Sequence, residues 1–486
     1  MVGPQHYRIA VIGAGFGGLG AAILLKRRGY DDFVVLDRGT EVGGTWRDNT
    51  YPGCACDVPS HLYSYSFGLN PGWSRSFSAQ PEIWDYLRRR VGEYGLAPHL
   101  RLGTEVHGAA WDGGRWVVET SGGTLSADVL ISASGPLCEP ALPKLSGLET
   151  FGGEVFHSAR WRHDLDLTGR RVAVIGTGAS AIQFVPEIAP EVERLYLFQR
   201  TPPWVMPKAD RPISRLERRA FRAVPGLQRL ARAGIYWARE AQATGFLKPV
   251  VMRLGQRMSR AHLRRQVPDP ALRARLTPRY RMGCKRVLLS NDYYPALTRS
   301  NVEVVDGGVA GVRPGAVVTA GGTERAVDTI IFATGFHVTD TPIAQRIRGR
   351  DGRTLAEAWQ GSPQAYLGTT VTGFPNLFLL LGPGTGTGHT SVVFMVECQL
   401  AYVLDALRHL DRTGATAIEP TAAAQRAFIS TMDRKMAGTV WSAGGCESWY
   451  QDSTGRVSAL WPGYTWSYRL RTRRFDPAHY EVVARA

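Results

Sequence analysis

Two glycine-rich turns limit what this chain of 486 residues can fold into. One turn begins at Gly13 after the apolar run 8–12, and the other begins at Gly176 after the apolar run 171–175. Each turn is followed by a stretch with helical spacing. Glycine lets the backbone approach a pyrophosphate closely, and the N-terminus of the following helix supplies free N–H groups. The sequence therefore predicts an α/β fold with two Rossmann-like dinucleotide-binding domains.

The residues of each turn predict the contacts of one nucleotide. In the first copy these residues are Gly13, Gly15 and Gly18, and Asp37 ends the next strand, where it can accept hydrogen bonds from ribose hydroxyls. The second copy has alanine in place of the third glycine, as the fingerprint permits. Its predicted contacts are Gly176, Thr177, Gly178, Ala179, Ser180 and Gln183.

The two copies differ at one informative position. Asp37 lies 24 residues after Gly13, and Arg200 lies 24 residues after Gly176. A carboxylate repels a ribose 2′-phosphate whereas a guanidinium pairs with it, so the first site should take FAD and the second NADPH. Thr201 and Lys285 are predicted to complete the phosphate pocket. The alternative is that Arg200 is a surface arginine with no role.

Length and composition limit the classes of protein to which this chain can belong. The length suggests two or three domains, and 44% hydrophobic residues with mixed charge are typical of a soluble globular protein. No signal peptide and no apolar run of membrane-spanning length is visible, so we expect no integral membrane segment. Six scattered cysteines without metal-ligand spacing predict reduced thiols, a cytoplasmic location and no metal site.

The net charge of +16 raises the question of a nucleic-acid partner. Only six of the basic residues are lysines, the others are arginines in a background rich in Ala and Gly, and no nucleic-acid-binding motif accompanies them. We interpret the excess of arginine as compositional bias and expect no nucleic acid to bind.

Residues 209–280 have a different texture, with arginine-rich segments in which apolar residues recur at helical spacing between prolines. This pattern predicts a helical insertion. Its apolar face could cover an active site, which we favour, or lie on a membrane surface. Peripheral membrane contact therefore stays open.

The segment that joins the two nucleotide units carries a fingerprint formed by Phe151, Gly153, His157 and Trp161. This pattern resembles that of the type I Baeyer-Villiger monooxygenases, which are class B flavoproteins of the flavin-containing monooxygenase superfamily. Arg162 departs from it, since the family usually has Pro or Asp there. The alternative is a linker in which a glycine turn and two aromatic residues pack together.

A second pattern at residues 43–57, GGxW-x4-YPG-x3-D, resembles the same family without exception. The resemblance implies that Gly44, Thr45, Trp46 and Tyr63 contact FAD and that the backbone at Val106 meets the adenine. It also implies that Asp57 lies over the flavin near the nicotinamide and that Arg286 is the active-site cation. Asp57 could instead cap a turn, which the Pro-Gly context allows.

The resemblance covers nearly the whole chain. It implies a monooxygenase that uses NADPH and O2 to insert oxygen beside a ketone carbonyl through a C4a-peroxyflavin, giving an ester or lactone. The implied FAD-binding domain comprises residues 1–140 and 336–486, and the NADPH-binding domain comprises 151–208 and 281–335. The aromatic and basic C-terminal region, 449–474, is expected to serve packing and to form part of the rim of the site, not to take part in catalysis.

Two other functions stay open. A flavin-containing monooxygenase that oxidises sulfur or nitrogen would use the same frame, although Trp161 argues against it because those relatives resemble this fingerprint with another aromatic residue there. A basic nucleic-acid- or membrane-binding protein with a degenerate nucleotide fold belongs to a different class.

Overall fold

The computed structural model describes residues 5–483. Its strands are β1 Gln5–Ile12, β2 Phe33–Leu36, β3 Leu100–Arg101, β4 Val106–Trp111, β5 Trp116–Thr120, β6 Gly123–Ser132, β7 Glu154–His157, β8 Arg171–Ile175, β9 Arg194–Gln199, β10 Val205–Met206, β11 Leu288–Leu289, β12 Val302–Asp306, β13 Val309–Arg313, β14 Ala316–Thr319, β15 Glu324–Ala326, β16 Thr329–Phe332, β17 Ile347–Arg348, β18 Leu377–Leu379, β19 Ile418–Pro420 and β20 Tyr480–Val482.

Helices alternate with the strands in most of the chain, as expected where parallel strands need crossover connections. The α-helices are α1 Phe16–Arg27, α2 Thr45–Asp48, α3 Gln80–Glu93, α4 Ala181–Ile188, α5 Arg215–Ala223, α6 Pro225–Leu247, α7 Met252–Gln266, α8 Pro270–Arg275, α9 Tyr293–Leu297, α10 Leu355–Trp359, α11 Val392–Thr413, α12 Ala422–Met436, α13 Val440–Ala443 and α14 Thr465–Arg471.

The first of two large sheets contains eight strands. Along the main path their order is β17-β4-β5-β6-β1-β2-β3, and β18 pairs with β6 off this path. β1 is parallel to both β2 and β6, while β4, β5 and β6 form an antiparallel meander. Strands from both ends of the chain therefore build this sheet.

The second large sheet has five strands, all parallel, in the order β12-β9-β8-β16-β7. β8, α4 and β9 repeat the arrangement of β1, α1 and β2. Two units with parallel strands joined through helices confirm the predicted α/β class.

The first glycine of each turn is required for the same two steric reasons. Gly13 has φ +101° and Gly176 has φ +113°, a backbone conformation that disfavours side chains. A Cβ on Gly13 would lie 2.6 Å from the carbonyl oxygen of Ala133, and one on Gly176 would lie 2.4 Å from that of Ala333. The turn therefore packs against the exit of a neighbouring strand, and only glycine fits.

The segment 209–280 contains α5, α6, α7 and α8. The inner side of α6 packs on the C-terminal part of the chain. Phe246 stacks on Trp441 with ring centroids 5.5 Å apart, and Glu240 accepts hydrogen bonds from the backbone and hydroxyl of Thr465. Among the residues described, no helix combines the length and the apolar character needed to cross a membrane.

Candidate active site

A cavity of about 1170 Å³ lies where both glycine turns meet. Its volume exceeds the usual range for a single small ligand, roughly 300–1000 Å³. The cavity wall includes most of the residues predicted to bind nucleotides: Gly13, Gly15, Asp37, Gly44, Thr45, Trp46, Asp57, Tyr63, Val106, Gly176, Thr177, Gly178, Ala179, Ser180, Gln183, Arg200, Thr201 and Lys285. The structure thus brings residues from distant parts of the chain to one space.

Gly18 differs from the other predicted contacts because it lies beneath the first turn. A Cβ at this position would come within 1.7 Å of the carbonyl oxygen of Gly13. Gly18 therefore permits the close approach of α1 to the turn, which is the packing role that the third glycine has in this motif.

The N-terminus of α1 is open toward the cavity, and no side chain in the described part of the chain caps it. Nearby, Asp37 is buried, and its Oδ1 accepts hydrogen bonds from Gly39 N at 2.8 Å and Arg47 Nη1 at 2.6 Å. Its Oδ2 accepts one from Ala14 N at 2.7 Å. A carboxylate oxygen has two acceptor positions, so Oδ2 can still accept a ligand hydroxyl.

Four aromatic and amide side chains give the side of the cavity near the first turn a fixed shape. Trp46 Nε1 donates a hydrogen bond to the hydroxyl of Tyr63 at 3.1 Å. Gln183, on the second nucleotide unit, accepts a hydrogen bond from Tyr51 at 3.0 Å and donates one to Ala55 O at 2.9 Å. The segment 51–55 is thereby tied to α4, which joins the two units across the cavity.

Two cations face each other at the second turn. Arg200 is exposed and has no acidic partner among the described residues. Burial, followed by the charge of Arg200, lowers the pKa of Lys285, which shows that the two charges lie near each other. The carboxylate of Glu447 offsets part of this decrease. Arg200 and Lys285 nevertheless repel one another, and a bound dianion would relieve this repulsion.

Asp57 and Arg286 form a bidentate ion pair in the cavity wall. Arg286 Nε donates to Asp57 Oδ2 and Nη2 donates to Oδ1, both at 2.7 Å. The Asp57 carboxylate raises the pKa of Arg286. Burial favours a raised pKa for Asp57, but the charge and hydrogen bonds of Arg286 outweigh burial and lower it. Both groups therefore stay charged, and the guanidinium is held in one plane.

Among the residues that the structure describes, those lining the cavity include none of the four fingerprint residues. A Cβ on Gly153 would lie 2.3 Å from the carbonyl oxygen of Asp328, next to β16. His157 accepts a hydrogen bond from Ala159 N, and burial lowers its pKa to about 4, so the ring is neutral at neutral pH. In this structure Gly153 and His157 therefore have local packing and hydrogen-bonding contacts.

The aromatic residues of the fingerprint pack around β7, which is the edge strand of the five-stranded sheet. Trp161 lies against Phe156 and Phe184, with ring centroids 5.3 and 5.2 Å away. Phe151 packs into the core of the second sheet. The family departure at Arg162 is accommodated because this side chain is 43% exposed and pairs with Asp164.

Two side chains that the sequence did not point to lie near the Asp57–Arg286 pair: Tyr450 and Arg239. Trp449 lines the cavity, and Tyr450 is buried beside Arg286. Burial raises the pKa of Tyr450, and the charge of Arg286 offsets part of this increase. Arg239, on α6, is a second cation close enough to lower the pKa of Asp57. Trp449 thus lies at the rim as expected, whereas the positions of Tyr450 and Arg239 beside the Asp57–Arg286 pair were not predicted.

The prediction of six reduced thiols is wrong for one pair, because Cys284 and Cys446 form a disulfide across 162 residues of sequence. The fold brings the turn before Arg286 against the loop before Tyr450, and sequence spacing gives no sign of this contact. The remaining cysteines, Cys54, Cys56, Cys138 and Cys398, are free.

Comparison with known proteins agrees with this geometry. Residues 10–222 match the model of the pyridine nucleotide-disulphide oxidoreductase family. A Baeyer-Villiger monooxygenase of Streptomyces coelicolor is 54% identical over 483 residues, which cover 99% of this chain and 93% of that protein.

Solved structures are also similar over the whole fold. An oxidized steroid monooxygenase bound to NADP has a TM-score of 0.87 and 31% identity, covering 99% of this chain and 100% of that one. An OTEMO complex with FAD and NADP has a TM-score of 0.88 and 29% identity with the same coverage.

Proposed function

This chain belongs to the Baeyer-Villiger monooxygenases, and we propose that its cavity holds FAD against the first glycine turn and NADPH against the second. It is a flavin monooxygenase that acts with O2 on a small molecule. FAD supplies the redox and oxygen-activating chemistry, and NADPH supplies the hydride. The chain supplies binding, orientation and electrostatic stabilisation.

We assign the domains from the membership of the sheets. Residues 1–140 and 336–486 form the FAD-binding domain, because their main strands share the eight-stranded sheet. Residues 151–208 and 281–335 form the NADPH-binding domain around the five-stranded sheet, and 209–280 is a helical insertion. The cavity between the domains lets hydride transfer and oxygenation share one space.

On the FAD side, the open N-terminus of α1 holds the pyrophosphate and Asp37 accepts a ribose hydroxyl at Oδ2. Gly44, Thr45, Trp46 and Tyr63 line the flavin end, and the Trp46–Tyr63 hydrogen bond keeps that wall rigid. Val106 also lines the cavity, and we assign its backbone to the adenine end of FAD.

On the NADPH side, Gly176, Gly178 and the open N-terminus of α4 hold the pyrophosphate. The remaining contacts are Thr177, Ala179, Ser180, Gln183 and Thr201. Arg200 and Lys285 pair with the 2′-phosphate, which neutralises their mutual repulsion. The preference for NADPH over NADH rests on these two cations.

Arg200→Ala should lose most of this preference. Losing one charge-assisted pair costs about 1.5–3 kcal/mol, which corresponds to a rise of about 10- to 150-fold in the KM for NADPH. The KM for NADH should hardly change, because NADH lacks the phosphate. Steady-state kinetics with both cofactors test this, with the exposed Arg299→Ala as a matched control. Equal use of NADPH and NADH by the wild-type enzyme would contradict the assignment.

The observation that carries the function is the Asp57–Arg286 pair at the meeting point of both nucleotide sites. Oxygen insertion beside a carbonyl places negative charge on the ketone oxygen, and a fixed guanidinium stabilises it. Asp57 cannot move away from Arg286 without breaking two charge-assisted hydrogen bonds. Its role is to keep the cation aimed into the cavity.

We propose an apolar ketone as the substrate. Leu381, Trp449 and Leu460 line the cavity, so apolar groups can cover much of the substrate while its carbonyl faces Arg286. The test is a panel of cyclic, aromatic and steroidal ketones, scored by ester formation per NADPH consumed. Ester formation from none of them, with turnover of sulfides or amines instead, would replace this proposal by heteroatom oxidation.

We also propose that the enzyme works in the cytoplasm. Four free cysteines support a reducing compartment, whereas the Cys284–Cys446 disulfide counts against it. Alkylation of the protein in intact cells, followed by mass analysis, decides whether that pair is reduced in place.

A further inference from the structure

The positive charge of this protein is concentrated in one segment. Residues 209–280 contain seventeen Lys and Arg residues against four Asp and Glu residues, a net charge of +13 out of +16 for the whole chain. A uniform bias toward arginine would have spread this charge over all domains. Apart from Arg239, which lies near Asp57, the basic residues of the insertion have no role in the site described above.

The same segment exposes apolar side chains. Nine of the sixteen large hydrophobic residues that are exposed in the described chain lie between positions 216 and 258. Scattered exposed apolar residues need no explanation, but a concentration of this kind marks an interaction surface.

On α6 the exposed residues form a continuous stripe. Leu227, Leu230, Gly234, Trp237 and Ala241 recur at helical spacing and all are exposed. Leu230 is 69% and Trp237 is 58% exposed. The opposite side of α6 carries the residues that pack inward, such as Phe246. The helix thus covers the protein with one face and leaves an apolar face without a partner.

α14 extends this surface. Its first residue, Thr465, hydrogen-bonds to Tyr236 and Glu240, which flank Trp237 along α6. Trp466 and Leu470 on α14 are themselves exposed. We call the stripe of α6 together with Trp466 and Leu470 the Trp237 face. Four exposed arginines lie on α14 or within three residues after it: Arg469, Arg471, Arg473 and Arg474.

We propose that the Trp237 face docks on the surface of an anionic lipid bilayer. Tryptophan and leucine insert at the boundary between headgroups and acyl chains, and arginine pairs with lipid phosphates while its stem remains in the apolar layer. Each basic residue near an anionic surface adds to the attraction. An anionic bilayer therefore interacts with both the apolar residues and the arginines of this surface.

Other occupants use only part of the face. A second copy of the chain would bring two surfaces of like charge together, which opposes pairing. A nucleic acid would meet the arginines but leave the tryptophan and leucine side chains without an apolar partner. Charge complementarity and apolar burial together select the bilayer.

Co-sedimentation with large unilamellar vesicles tests the proposal. The wild-type protein should bind vesicles of phosphatidylcholine with 30% phosphatidylglycerol and should bind pure phosphatidylcholine at least about tenfold more weakly. Raising NaCl to about 0.5 M should release much of it, because salt screens the arginines. The double variant L230S/W237S should lower the partition coefficient on anionic vesicles by about tenfold or more.

Val482→Ser is the matched control, because Val482 is 63% exposed but lies on β20, outside the Trp237 face. It should bind vesicles like the wild type, and all three proteins should oxidise ketones equally in the absence of lipid. Equal binding to neutral and anionic vesicles, or equal binding by L230S/W237S and wild type, would overturn the proposal. A dimer in solution that the double variant abolishes would also overturn the proposal. Duplex-DNA binding that occurs without vesicle binding, and that the double variant abolishes, would overturn it as well.

Discussion

Arg286→Ala should lower the rate of ester formation by about 100- to 1000-fold while FAD stays bound. Removing one preorganised donor to a developing oxyanion costs about 2.7–4 kcal/mol, and Arg286 is held in place for that role by two hydrogen bonds from its guanidinium to Asp57. NADPH oxidation should continue in part, with hydrogen peroxide as product, because the loss falls on the ketone step. Product analysis together with peroxide release measures this uncoupling.

Two variants separate the charge of Arg286 from its shape and from its neighbour. Arg286→Lys should recover only part of the activity, because an ammonium group keeps the charge but lacks the planar fork. Lys285→Ala should raise the KM for NADPH and leave coupling to ester formation nearly unchanged. An Arg286→Ala enzyme that forms ester at the normal rate would remove this residue from the mechanism.

Asp57→Ala should be the second most damaging change. Without the carboxylate, Arg286 loses both hydrogen bonds that fix its plane, and a displacement of about 1 Å in an active site typically costs about 100-fold in rate. FAD binding should persist, because the side-chain hydrogen bonds described for Asp57 go to Arg286. Ester formation and FAD content are measured on the same preparation.

Asp57→Asn is the informative control, since its single side-chain carbonyl can accept one of the two bonds from Arg286. We expect an intermediate rate for it. If Asp57→Ala instead purifies without flavin, then Asp57 stabilises the FAD domain and its orienting role is wrong.

Much of the frame could be predicted because its signals are local. The apolar runs before Gly13 and Gly176 became β1 and β8, and the strand predicted before Asp37 became β2. Asp37 and Arg200, which have equal offsets from their turns, also occupy equivalent places in the structure, because each directly follows the second strand of its unit. Local chemistry fixes such elements before any tertiary contact forms.

The rest depends on contacts between distant parts of the chain. Tyr450 and Arg239 approach the Asp57–Arg286 pair from separate elements, and neither sits in a motif. The Cys284–Cys446 bond joins positions 162 residues apart. Pattern alone also could not tell which face of α6 is covered, because the inner and outer faces both carry apolar residues.

Isotope labelling follows the oxygen atom that the enzyme inserts beside the carbonyl. The enzyme is incubated with NADPH, a ketone that it accepts and ¹⁸O2 in unlabelled water, and the product is analysed by mass spectrometry. Oxygen insertion beside the carbonyl predicts an ester or lactone that contains one ¹⁸O atom, located in the new C–O–C linkage, with the carbonyl oxygen unlabelled. An ester without ¹⁸O, or label confined to hydrogen peroxide and water while the ketone is unchanged, would contradict the account.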